Sequence, residues 1–398
     1  MAQESLAVAG RARPKAPLLY NPKVRGIAYQ VVLCAVIVFL AWSAIQNAAE
    51  NLARAKIATG FGFWENTAGF DISQTLIDYS TTSTYGRAFW VGLLNTLLVA
   101  GLGIVLATML GFVIGIARLS KNWLVGRMAG LYVETIRNIP LLLQLLFWYN
   151  AVLKALPATR DSLAIPGGGF LNNRGLFLPQ PVFQPGSGWA LIALGLGIAG
   201  AIVYRSWATR RQMRTGQQAP VLWVTLGLVI ALPVAVLALL GFPITFSYPE
   251  AGRFNIRGGM EMLPEFMALL FGLVIYTAAF IAEVVRAGIL AVARGQTEAA
   301  YSLGLRPGQT LRLVVIPQAM RVIIPPLTSQ YLNLTKNSTL AVAIGYPDLV
   351  QIFAGTVLNQ TGQAVEVIVI TMAVYLTLSL VTSGLMNLYN RRMALVER

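Results

Sequence analysis

Residues 296–320, QTEAAYSLGLRPGQTLRLVVIPQAM, decide how this chain is read, because they form a polar stretch set between two strongly apolar ones. Thr297 predicts a cap for a short helix starting at Glu298, Gly304 an end to it in the left-handed conformation, and Pro307 the first turn of a second helix. A helix shorter than about 12 residues is marginal alone in water. This one therefore needs a surface to lie in, and a partner's groove is the natural candidate.

Outward from that stretch the chain is a membrane protein. Its 398 residues are 56% hydrophobic and 11% charged, against roughly 25% charged in a soluble domain. The formal charge of +15 raises the question of nucleic acid, but in so apolar a chain the informative property is where the basic residues lie relative to the spans. Cys34 is the single cysteine and there is no histidine. A disulfide framework, a thiol pair and His-ligated metal chemistry are excluded, and no metal site is expected. The polar stretch before the first apolar run is too long for a cleaved signal peptide, so the first span is expected to stay.

Windows of about 20 apolar residues predict eight spans, at 27–47, 89–117, 128–154, 189–207, 221–240, 263–290, 322–345 and 364–388. Eight spans put both termini on one side. With the N-terminus inside, two in three of the Lys and Arg residues fall on inner segments, which places 296–320 in the cytoplasm together with both tails. Pro140 in the third span, and Pro325 with Pro326 in the seventh, predict kinked or re-entrant segments. The outer loop 156–188, rich in Gly and Pro, reads as irregular, either a docking surface or a solvated loop. The outer stretch 48–88 is mixed in character and suggests no role.

Two charge pairs echo each other: Glu134 with Arg137, and Glu283 with Arg286, each a carboxylate three residues before an arginine on one helical face. They are read as structural pairs at the inner interface, with gating as the rival. Polar groups inside spans must face protein or a water-filled cavity. Gln144, Tyr276, Asn333, Lys336, Asn337 and Ser338 are therefore the expected translocation path, with Lys336 able to meet a substrate carboxylate. The competing role for Lys336 is to neutralise a helix C-terminus or to pair with a carboxylate of a partner subunit.

No G-x-x-x-x-G-K-[ST] phosphate loop occurs, and Gly304-Leu-Arg-Pro-Gly308 lacks the lysine and hydroxyl that would hold phosphate and magnesium. The chain is not expected to hydrolyse ATP, nor to be an enzyme at all. If transport is ATP-driven, the motor is a separate subunit.

The spacing Glu298-Ala299-Ala300, three residues, Gly304, nine residues, Val314-Val315-Ile316-Pro317 resembles the EAA loop of bacterial ABC importer permeases. Val314 and Ile316 stand where Ile and Leu are usual. Asn95-Thr96-Leu97, Arg118-Leu119-Ser120, Glu134-Thr-Ile-Arg-Asn-Ile-Pro140, Ala282-Glu283-Val-Val-Arg286 and Leu334-Thr-Lys336-Asn337-Ser338-Thr339 resemble the polar amino-acid branch of that family. Arg137-Asn138-Ile139-Pro140 departs from the more usual Arg-Gly-Thr-Pro, and Thr339 replaces a common serine, which blurs the substrate. The enlarged layout is similar to the large permeases of general L-amino-acid transporters, including the glutamate/glutamine/aspartate/asparagine type.

The resemblance implies an all-α polytopic fold of about eight transmembrane helices, a five-helix type I importer core with additions. The chain then divides into a tail at 1–26, an added span and outer segment at 27–88, core at 89–155, an insertion with two spans at 156–262, core at 263–390, and a tail at 391–398. It also implies that Glu298, Ala299, Ala300, Leu303, Gly304, Arg306 and Pro317 couple the chain to an ATPase dimer, which binds the ATP and Mg; this chain itself binds no cofactor. The other implied partners are a second permease, expected to be non-identical, and a periplasmic amino-acid-binding protein; membrane lipid surrounds the spans and no nucleic acid is involved. The implied location is the bacterial inner membrane. A helix lying on lipid headgroups is the rival reading of the loop, though it explains neither the alanines nor the spaced glycine. An ion-gradient-driven secondary transporter is the rival for the whole chain, but mid-span acids are scarce; a non-transporting scaffold would need neither Lys336 nor the loop.

Overall fold

The structure is a computed structural model that describes residues 22–54, 59–252 and 255–393. The expected tails lie mostly outside those residues, as do Lys56 and Arg253 of the outer segments.

Among the described residues, seven helices are long and apolar enough to cross a membrane, and an eighth crossing is available as a bent pair. In chain order these are α1 (Pro22–Arg54), α2 (Tyr85–Ala117), the bent pair α3 (Trp123–Asn138) and α4 (Leu141–Leu146), then α5 (Gly188–Thr215). They continue with α6 and α7 (Val221–Leu226, Leu232–Leu239), α8 (Pro264–Leu290), the loop helices α9 (Arg294–Ser302) and α10 (Pro307–Thr310), α11 (Ile316–Asn337), short α12 (Leu358–Thr361) and α13 (Ala364–Met393).

The core is organised on α2 and α8, and the reason is small residues. In lipid no hydrophobic drive pushes helices together, so close backbone approach and dispersion must do it. Gly103, Ala107, Gly111 and Gly115 recur every four residues along α2 and are all buried. A Cβ on Gly111 would sit 2.6 Å from the Ile281 side chain, and one on Gly115 2.7 Å from the carbonyl oxygen of Ala282. Gly288 repeats the device between α8 and α11, where a Cβ would meet Ile323 at 2.3 Å. At the outer end, residues 59–84, which the sequence left without a role, fold over the bundle: Phe63, Ile72, Tyr85, Phe89, Phe353 and Val367 share one buried cluster.

The break in the third span falls at Pro140, as its sequence predicts: α3 and the segment Leu141–Leu153 meet at 104°. The seventh span differs from expectation. Helix α11 runs through Pro325 and Pro326 without interruption, and both residues are exposed. It changes only at its outer end, tightening to a 3-10 turn over Ser338–Ile344 that stops at left-handed Gly345.

The outer loop 156–188 is not irregular. It carries β1 (Leu163–Ile165), β2 (Gly169–Asn172), β3 (Gly175–Leu178) and β4 (Gln180–Phe183). The segment before α8 supplies β5 (Ile244–Ser247), β6 (Glu250–Ala251), β7 (Ile256–Arg257) and β8 (Met260–Met262). An antiparallel sheet runs β1-β2-β3-β8, and β4 pairs with β5. Of the Gly and Pro residues that suggested irregular chain, Gly167 and Gly168 turn the chain between β1 and β2, while Gly169, Gly175 and Pro181 lie within strands. The protein is therefore a helical bundle bearing a small β layer before the N-terminal end of α8. The two added spans, α5 and α6 with α7, pack against each other, with Gly197 so close that a Cβ there would lie 2.0 Å from the carbonyl oxygen of Leu228.

Candidate functional site

The loop between α8 and α11 has the expected form with one correction. Helix α9 starts at Arg294, not Glu298, and has no side-chain cap; Thr297 lies inside it. Its far end is fully specified. Gly304 has φ of 76°, its N–H donates to the Tyr301 carbonyl at 2.9 Å, and the Leu305 N–H reaches back to the Ala300 carbonyl at 3.1 Å. This pair of bonds is the Schellman arrangement, which needs a residue able to adopt the left-handed region. Pro307 then opens the next helix, and the Arg306 N–H donates to the Gln309 side chain at 3.1 Å.

The side chains of α9 divide into two faces. Ala300 is buried at 3% exposure, seating the helix on its own chain. Glu298, Ala299 and Leu303 point away, with Leu303 83% exposed. The two alanines thus do different things, one packing inward and the other leaving the outer face low. Gln318 donates to Gln296 at 3.2 Å, linking α9 to the base of α11. Pro317, partly buried, lies in that same base, and Arg306 is exposed at the turn. Helices α10 and α11 join through a wide π turn at Leu311–Val315, so Pro307–Ile344 forms one continuous helical element.

The expected path residues do not form one set. Gln144 is buried, and its amide donates to the carbonyls of Ile136 and Ile139 at 2.9 Å each. It supplies partners for the carbonyls freed at the Pro140 break. Ser338 is fully buried and donates to the Thr335 carbonyl at 2.8 Å. Asn333 and Lys336, by contrast, are exposed and lie on one face of α11 with Ser329, Pro326, Pro325 and Val322. Asn337 is half-buried beside that face. Tyr276 is half-buried on α8 and stacks on Phe280 with centroids 4.9 Å apart.

Of the two charge pairs, Glu283 bonds Arg286 at 2.6 Å and also binds Arg118 of α2. Glu134 and Arg137 do not pair. The Arg137 guanidinium lies over the Phe280 ring at 5.0 Å, continuing the Phe280–Tyr276 stack. Among the described residues the Glu134 carboxylate makes no ion pair. The i, i+3 spacing permits a pair but does not decide between it and an aromatic face.

Sequence reasoning gave Asn95 and Thr96 no role. The Asn95 amide donates to the carbonyls of Gln74 and Pro347, and the Thr96 hydroxyl accepts from the Leu349 N–H at 3.1 Å. They pin the outer segment and the turn after α11 to α2. In that turn Asp348 is fully buried and accepts from the Gln351 N–H at 2.7 Å. Burial pushes its carboxyl up to about 7 against the pull of that bond.

The described residues thus combine a many-span helical bundle, a third span interrupted at Pro140 and a polar loop whose short helix closes at left-handed Gly304. Residues 192–395 match the family described as "Binding-protein-dependent transport system inner membrane component", and this chain belongs to that family. It is similar to the general L-amino acid transport system permease protein AapQ of Rhizobium johnstonii, at 53% identity over 96% of this chain and 95% of that protein. Similarity extends to the putative amino-acid ABC transporter permease protein YhdX of Escherichia coli, at 50% identity over 95% and 96%. The glutamate/glutamine/aspartate/asparagine transport system permease protein BztB of Rhodobacter capsulatus is 45% identical over 96% of each. The chain is thus a multi-pass inner-membrane subunit of an ABC importer, and the ion-gradient reading is set aside.

Proposed function

We propose that this chain carries polar L-amino acids across the membrane, paired with a second, non-identical permease, driven by an ATPase dimer and supplied by a periplasmic binding protein. ATP and Mg are bound by the ATPase partner. The chain has its own termini and its 296–320 loop in the cytoplasm. The substrate class is supported by the names of its relatives, and the non-identical partner by the insertion at 156–262, which enlarges this chain beyond a five-helix core.

The observation that carries the reading is the exposed Ser329, Asn333 and Lys336 face of α11. A lysine facing lipid within a span is costly, so that face belongs against a water-filled path or a partner, and Lys336 can meet a substrate carboxylate there. The base of the same helix is tied to α9, so motor and path share one rigid element. Glu298, Ala299 and Leu303 offer the motor a face; Gly304, Arg306 and Pro317 set its angle. Lys336→Met tests the reading: uptake of polar amino acids falls at least tenfold while the subunits still co-purify. Lost assembly with uptake preserved in whatever complex remains would assign Lys336 to the subunit interface.

A further inference from the structure

Where the C-terminal ends of α2 and α8 meet α3, a partly open cavity of 270 Å³ is lined by Arg118, Arg127, Glu134 and Arg286 together with Gly126, Gly130 and Leu131. Of its three guanidiniums Arg127 is exposed, while Arg118 and Arg286 are partly shielded. Glu283 answers two, through its bonds to Arg118 and Arg286. Among the described residues Arg127 and Glu134 are left without a hydrogen bond or ion pair from their side chains. They sit seven residues apart on one face of α3, about 10 Å along the axis. That gap is too wide for a direct pair across two turns, yet their long side chains can close on a small molecule that carries both charges.

We infer that this cavity is a cytoplasm-facing site for a free α-amino acid, its carboxylate held by Arg127 with Arg118 and its ammonium by Glu134. This rests on the reading of the chain as an amino-acid permease, and the site is separate from the Lys336 face. Counting Glu283, the cluster has three positive and two negative groups. An acidic amino acid, with a net charge of −1, neutralises it; a neutral one leaves it positive and a basic one adds to the excess. The site therefore prefers acidic over neutral over basic amino acids. The volume is slightly below the roughly 300–1,000 Å³ of drug-sized pockets, which suits one amino acid. Because α8 leads directly into α9, an occupant would brace the base of the docking loop and let internal amino acid slow further import.

The test is equilibrium binding of radiolabelled L-glutamate to the whole complex in nanodiscs without its binding protein. Arg127→Gln and Glu134→Gln are each expected to weaken binding about tenfold or more, the scale of one lost charge-assisted bond, while co-eluting normally with the other subunits. Arg210→Gln, at an exposed position of α5 that does not line the cavity, should bind within twofold of the unmodified chain, and competition should rank L-glutamate over L-glutamine over L-arginine. Binding unchanged in both Arg127→Gln and Glu134→Gln, abolished by Arg210→Gln, equally competed by L-arginine, or unsaturable in the unmodified complex would each overturn the inference. ATP-driven uptake is scored separately: a complex that imports no polar amino acid refutes the proposed function, whatever this cavity binds.

Discussion

Replacing Gly304 isolates backbone conformation from every other effect in the docking loop. The residue has φ of 76° and a Cβ placed on it meets nothing within 4 Å, so no clash contributes. The cost of a side chain is that of holding an L-residue in the left-handed region, about 1–2 kcal/mol, and most for a β-branched one. Against competing loop conformations of similar energy, that lowers the population of the docking geometry by roughly 5- to 30-fold. Both Schellman bonds, from Gly304 to Tyr301 and from Leu305 to Ala300, go with it. The expected series is graded: Gly304→Asn stays near full activity because Asn tolerates this region, Gly304→Ala falls severalfold, and Gly304→Val falls furthest. ATP-driven uptake in proteoliposomes, with membrane insertion checked by protein level, reads the series. Full uptake by Gly304→Val, or equal losses for Asn and Val, would refute the argument.

Gly111→Leu should collapse the folded complex in detergent, since overpacking costs about 1–3 kcal/mol and the first added carbon is already 2.6 Å from Ile281. Gly101→Leu on the same helix, where nothing lies within 4 Å, should not; size-exclusion profiles compare them. Glu283→Gln removes the charge shared by Arg118 and Arg286. Because these side chains are only partly shielded, the loss is about 1–2 kcal/mol, read as a lower apparent melting temperature than for Glu134→Gln, whose carboxylate has no intramolecular partner.

What was legible in the sequence was local. The turn at Gly304, the helix start at Pro307 and the break at Pro140 each follow from the conformational limits of one residue, and all three stand in the structure. Long apolar windows were legible too, because about 20 consecutive apolar residues suffice to span the hydrocarbon core. Non-local partners were not legible. Glu283 meets Arg118 from another helix, and β8 joins β3 across two added spans; neither pairing leaves a periodic signal. Pro325 and Pro326 each remove one backbone donor, yet α11 continues through both, as membrane helices can where nearby groups serve the freed carbonyls. Gln144 looked like a path residue because a buried amide in a span is costly, but the carbonyls it serves belong to the adjacent break. Among the proposed site residues, the loop was the readable part, since its chemistry is written in consecutive positions.

The central claim is that the outer face of α9 engages a separate motor. Leu303, 83% exposed at its tip, offers a direct probe. With Cys34 replaced by Ser to remove the chain's own thiol, a Leu303→Cys variant carrying a short photoactivatable crosslinker should form one major adduct, with the ATPase subunit. Its yield should change when ATP is added, and a probe at Ser206 on α5 should give no such adduct. Absence of an ATPase adduct from Leu303→Cys in a complex that still imports amino acids would contradict the account.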